Sequence, residues 1–79
     1  MILESKIQAK IIKEYESMGY FVIKLIKTNK NGIPDLLCLK DGKGFFIEVK
    51  SEKGKVKPLQ HFRHEELLKY GFETLIKRS

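Results

Sequence analysis

Apolar residues recur at three- and four-residue spacing through Ile7, Ile11, Tyr15 and Met18, while Lys6, Lys10, Lys13, Glu14 and Ser17 fill the other side. That period predicts an amphipathic helix over residues 3–18, stopped by Gly19. The pattern then changes. Tyr20-Phe21-Val22-Ile23-Lys24-Leu25-Ile26 is aromatic and β-branched and reads as a strand, followed by a polar loop with an Asn31-Gly32 pair. Residues 34–40 form a second strand, Asp41-Gly42-Lys43-Gly44 a hairpin turn, and 45–50 a third strand. A lysine-rich loop over 51–57 leads to Pro58, well suited to open a second helix because its missing N–H would be unpaired there. That helix runs to about Tyr70, Gly71 ends it, and 72–77 is a last strand. Leu59, Phe62, Leu67 and Tyr70 are expected to supply most of the second helix's packing.

The order helix, three strands, helix, strand defines an α/β domain. Three strands can pair as an antiparallel meander, and the fourth, arriving after a helix, can lie parallel to a neighbour. The expected architecture is a four-stranded mixed sheet flanked by helices, with residues 1–79 as one stand-alone domain. Apolar runs such as Ile33 to Leu39 are far shorter than the ~18 residues of a membrane span. No secretory leader is visible, and Cys38 is the only cysteine, which excludes an internal disulfide and a multi-cysteine zinc site. A reducing cytoplasmic setting fits best. Cys38, between Leu37 and Leu39, reads as a small core residue.

Charge adds a partner class. Lysine and arginine total 16 against 10 acids, a net of +6. Nine lysines lie between Lys24 and Lys57, against Asp35, Asp41, Glu48 and Glu52. A basic middle of this kind suits a phosphate-rich partner, nucleic acid or an anionic membrane surface. No long amphipathic helix with a one-sided basic face supports the membrane.

Five polar residues then stand out: Glu4, Asp35, Glu48, Lys50 and Gln60. Alternation along the third strand puts Phe45, Ile47 and Val49 on one face, and Phe46, Glu48 and Lys50 on the other. Asp35 opens the preceding strand, and the hairpin brings it near Glu48. Two carboxylates and an ammonium thus meet at the open end of the hairpin. Close carboxylates repel, and a hard cation such as Mg²⁺ relieves the repulsion. Such a cation acidifies the water it binds, and a nearby lysine can orient that water or stabilise charge on a phosphoryl transition state. The plainer alternative is a surface ion pair between Glu48 and Lys50, with Asp35 a turn residue after Pro34. Glu4 falls inside the apolar stripe of the first helix, so either the helix frays before it or it meets a partner over the sheet. Gln60, in the first turn of the second helix, either contacts a phosphate, a cation's water or the lysine, or is an ordinary exposed residue. His61 and His64 read as surface or DNA-facing residues.

The segments Gly32-Ile33-Pro34-Asp35-Leu36, Phe46-Ile47-Glu48-Val49-Lys50, Gly54 and Pro58-Leu59-Gln60, with the early helical Glu4, resemble the VRR-NUC family, the virus-type replication-repair nuclease domains of the PD-(D/E)xK superfamily. The resemblance covers essentially the whole chain. It implies Asp35 and Glu48 as ligands of Mg²⁺ (or Mn²⁺), helped by the backbone carbonyl of Val49. It implies Lys50 as the residue positioning or activating the attacking water, Glu4 as completing the acidic cluster, and Gln60 as supporting the site. Where relatives often carry arginines before the Gly-x-Pro-Asp segment, this chain has Lys27-Thr28-Asn29-Lys30-Asn31, and lysine grips phosphate as a point charge without the arginine fork.

Small members resemble Holliday junction resolvases and tend to be dimers, with Tyr20, Phe21, Phe72 and the strand edges as candidate contact surfaces here. The expected function is metal-dependent endonucleolytic cleavage of branched DNA in replication, repair or recombination, in a bacterial or phage setting. Lys27, Lys30, Lys53, Lys55 and Lys57 would hold the backbone. The alternatives are the same chemistry on flaps, single strands or duplex sites, and a non-catalytic DNA-binding module.

Overall fold

Residues 3–78 are described by a computed structural model, in the order α1 (Glu4–Ser17), β1 (Phe21–Lys24), β2 (Leu36–Lys40), β3 (Lys43–Lys50), α2 (Pro58–Lys69) and β4 (Thr74–Arg78). Both helices end by one device. After α1, Gly19 at φ +92° lets its own N–H reach Glu16 O and the Tyr20 N–H reach Tyr15 O. After α2, Gly71 at φ +94° does the same, with its N–H on Leu68 O and the Phe72 N–H on Leu67 O. These are Schellman closures, in which glycine takes the left-handed conformation without a Cβ penalty.

The strands form one sheet in the order β1-β2-β3-β4, antiparallel except for the parallel pair β3–β4. The β2–β3 turn is tighter than its composition suggested. Lys40 pairs with Lys43, so only Asp41 and Gly42 lie in the loop, both at positive φ (52° and 75°). This two-residue geometry matches the right-handed twist of the strands and sets their register.

The core lies between α1 and one face of the sheet. Ile7, Ile11 and Tyr15 pack on Leu36, Cys38, Ile47 and Val49, all buried. Tyr15, Tyr20 and Phe45 close one end as mutually edge-on rings with centroids 5.5–5.8 Å apart. Tyr20 is therefore a packing residue, in contrast to its expected place on an exposed contact surface.

The other face is built differently. No residue of helix α2 is fully buried; Leu59, Phe62 and Tyr70, expected as its packing stripe, are exposed, and only Leu67 of that set is half-buried. It is fastened instead by polar contacts and by one close approach. Arg63 Nε donates to Asn31 O at 2.7 Å. Gly32, at φ +82°, sits so close to α2 that a Cβ there would lie 2.8 Å from Leu59 Cγ and 3.0 Å from Leu59 O. These contacts tie α2 to the loop that leads into β2. Farther along the same face, Phe21 (67% exposed) and Phe72 (41% exposed) flank half-buried Leu39 around a shallow depression of about 560 Å³.

Candidate active site

The hairpin register decides which side chains meet. Leu36 pairs with Ile47, so Asp35, one residue earlier, comes opposite Glu48. Asp35 is anchored there: its Oδ2 accepts the Val49 N–H at 2.7 Å, and its own carbonyl accepts the Leu25 N–H at 2.8 Å. Glu48 and Lys50 alternate with the core residues Ile47 and Val49 and so project from the face away from α1. Both are buried, at 2% and 6% exposure.

A buried carboxylate beside another is electrostatically poor. The Glu48 carboxyl is pushed up to about 8, first by burial. Asp35 contributes to that rise by a side-chain hydrogen bond and by like charge, Lys50 opposes it, and Glu4 adds a smaller push. The Glu48 carboxyl is therefore largely protonated at neutral pH unless a cation joins it.

Helix α2 presents two side chains to this carboxyl. Gln60 Nε2 donates to Glu48 Oε2 at 3.4 Å, and His64 Nε2 lies 3.3 Å from Glu48 Oε1. The amide of Gln60 is oriented by its other end, since Oε1 accepts the Lys57 N–H at 2.8 Å at the start of α2. Spacing of four residues puts positions 60 and 64 on one helical face. His64, read from the sequence as a surface or DNA-facing residue, is part of this cluster, and burial together with His61 and Lys50 holds its imidazole below the usual range. His61 is exposed, as expected. The signal for His64 was its spacing from Gln60, which becomes meaningful only once that face is known to point at Glu48.

Glu4 is the first residue of α1 and is exposed. Its Oε1 accepts the Ser51 N–H at 3.4 Å, next to Lys50, so the first helix does reach the acidic end of the sheet. The loop following Lys50 folds over it. Gly54 would, with a Cβ, come within 3.0 Å of Ser51 Oγ and 3.5 Å of Lys50 Cδ. Arg78 Nη1 gathers the carbonyls of Ser51, Glu52 and Gly54, a clasp with no local sequence signature. Lys27, Lys30, Lys53, Lys55 and Lys57 are exposed on the two loops that adjoin Asp35 and Lys50 in sequence.

Two hard carboxyl groups that cannot both ionise without a counter-charge suit a hard divalent cation. Asp35 and Glu48 supply that donor set, and the Val49 carbonyl is adjacent in sequence. Among the described residues no third acid, histidine or cysteine joins them in a ready metal cluster, so remaining positions would fall to water and phosphate. The Lys50 ammonium on the same face is a positive charge of the kind that stabilises negative charge on phosphoryl oxygen.

Comparison with known proteins agrees. The sequence model of the VRR-NUC domain matches residues 2–78. A relative from Acyrthosiphon pisum secondary endosymbiont phage 1, named "Putative nuclease p44", is 29% identical over 80 residues, covering 100% of this chain and 86% of its own length. A solved structure described as a VRR_NUC domain superposes with a TM-score of 0.84 at 35% identity, over 96% of this chain and 84% of the other.

Proposed function

The chain belongs to the VRR-NUC family of nuclease domains, and from that premise we propose that it is a Mg²⁺- or Mn²⁺-dependent endonuclease that cuts branched DNA of the Holliday-junction type. The observation that carries the reading is the buried Glu48 carboxyl, held opposite Asp35 at a raised pKa with Lys50 on the same face. Asp35 and Glu48 hold the cation, with the Val49 carbonyl beside them. A bound divalent cation supplies Lewis acidity toward water and phosphate oxygen. The protein does the rest. The Val49 N–H fixes Asp35 by one oxygen. Gln60 fixes Glu48. Lys50 orients the attacking water and stabilises the charge that builds on phosphoryl oxygen. Glu4 sits at the rim and completes the acidic cluster.

The lysines of the two loops hold the DNA backbone as point charges, largely without reading sequence. Branched DNA is favoured because so small a domain grips little duplex alone, and a two-fold pair offers one site to each of two strands. The exposed apolar face around Phe21, Leu39 and Phe72 supports such a homodimer. The phage relative supports a viral or phage setting. Among the described residues no helix is long and apolar enough to cross a membrane.

The test is a panel of labelled four-way junctions, flaps, duplexes and single strands, incubated with Mg²⁺, Mn²⁺ or chelator. The expected result is metal-dependent nicking strongest on junctions and lost in Glu48→Ala. Equal cutting in chelator would sink the metal reading, and a preference for flaps or single strands would redirect the substrate.

A further inference from the structure

We infer that His64 is a positioning residue that, together with Gln60, locks the Glu48 carboxylate in its cation-binding orientation. The inference rests on the reading of Asp35 and Glu48 as the cation site. Four observations carry it. His64 Nε2 and Gln60 Nε2 each approach a different oxygen of Glu48, at 3.3 and 3.4 Å, so the carboxylate is held at both ends. Gln60 has only its amino group to offer, because its oxygen already accepts the Lys57 N–H. The His64 side chain is 12% exposed and that of Glu48 3%, so water competes little for the contact. Finally, no apolar residue of α2 is fully buried. A helix placed only to cover the sheet would turn an apolar stripe inward; this one turns Gln60 and His64 toward a carboxylate and leaves Phe62 57% exposed.

The chemistry of the pair is specific. An ionised Glu48 only accepts hydrogen bonds, so the contact requires the tautomer with its proton on Nε2. A neutral donor orients the carboxylate without neutralising it as a lysine or arginine would, leaving its charge for the cation. Donors behind metal-binding carboxylates commonly change metal affinity by about 10–100-fold when removed.

The test is Mn²⁺ binding by calorimetry to the DNA-free protein, comparing wild type, His64→Ala, His64→Gln and His61→Ala. Glutamine is the informative substitute because its Nε2 can reach the position of the imidazole Nε2. We expect Mn²⁺ affinity to fall about tenfold or more in His64→Ala, to recover in His64→Gln, and to be unchanged in His61→Ala. Junction binding in chelator should be the same in all four. In cleavage assays the His64→Ala defect should shrink as Mn²⁺ is raised toward saturation. Wild-type affinity in His64→Ala would overturn the inference. So would an equal loss in folded His64→Gln, since a donor at that position would then not suffice. Failure of the wild type to bind Mn²⁺ would instead overturn the reading of the acidic corner on which the inference rests.

Discussion

Glu48 is the residue with the least ordinary surroundings in the molecule. Its folded pKa of about 8 lies far above the ~4.3 of an unfolded chain. Between those values the folded state keeps a proton that the unfolded state has released. Stability of the metal-free protein must therefore fall as pH rises through that window, and this contribution levels off above it. Thermal unfolding in chelator should show a melting temperature that drops from pH 5 to pH 8. Glu48→Gln should flatten that dependence and be at least as stable as wild type at pH 8. A steeper loss in Glu48→Gln would mean the carboxylate is stabilised, against its environment. Added Mn²⁺ should raise the wild-type melting temperature at pH 8 and leave Glu48→Gln nearly unmoved.

At this scale the sequence was informative because β-alternation and hairpin arithmetic are nearly deterministic. Asp41-Gly42 announced the turn and so brought Asp35 near Glu48, while their exact pairing follows from the two-residue loop that only the register shows. Glu4 stays helical as the first residue of α1, in the open rather than buried, and its carboxylate accepts the Ser51 N–H. His64 was missed because a histidine on an exposed-looking helix carries no period of its own.

Two elements hold the site by means other than apolar packing. Helix α2 depends on the fit of Gly32 against Leu59, at a backbone angle that favours glycine. Gly32→Ala should destabilise the fold by about 1–3 kcal/mol, read by urea unfolding, and lower cleavage by shifting α2 from Glu48. A neutral Gly32→Ala would show that the loop can yield. The loop over 51–57 depends on Arg78. Arg78→Ala should speed hydrogen exchange of the Gly54 amide, which donates to Ser51 O at 3.1 Å, and should weaken DNA binding more than it slows cutting of bound DNA. Unchanged exchange would mean that the loop holds itself.

Element existence was legible from period and punctuation: Gly19, Gly71 and Pro58 mark boundaries the structure keeps. The facing of α2 was not. Its apolar residues are spread round the helix, so no stripe identifies an inner side, and the real contacts are polar and long-range. The same holds for Arg78, whose partners lie 24–27 residues away.

For the whole molecule, charge and apolar surface divide the labour. Net charge of +6 understates the attraction for DNA once a cation offsets Asp35 and Glu48. Junction affinity should therefore fall steeply with salt, linearly on logarithmic axes. The apolar face bearing Phe21 and Phe72 is the surface on which a second copy is proposed to sit. Sedimentation should give twice the 9.2 kDa chain mass, and Phe21→Asp should return it to one. A wild-type monomer at micromolar concentration would remove the two-site account of junction cutting.

The most direct test of the central claim is single-turnover cleavage of a four-way junction in Mg²⁺ by Asp35→Asn and Lys50→Ala, with junction binding in chelator measured on the same preparations. Both variants should bind the junction about as well as wild type and cut it at least ~10³-fold more slowly, the scale of losing preorganised transition-state charge stabilisation. Cutting at the wild-type rate by either bound variant would contradict the assignment of the Asp35–Glu48–Lys50 corner as the hydrolytic centre.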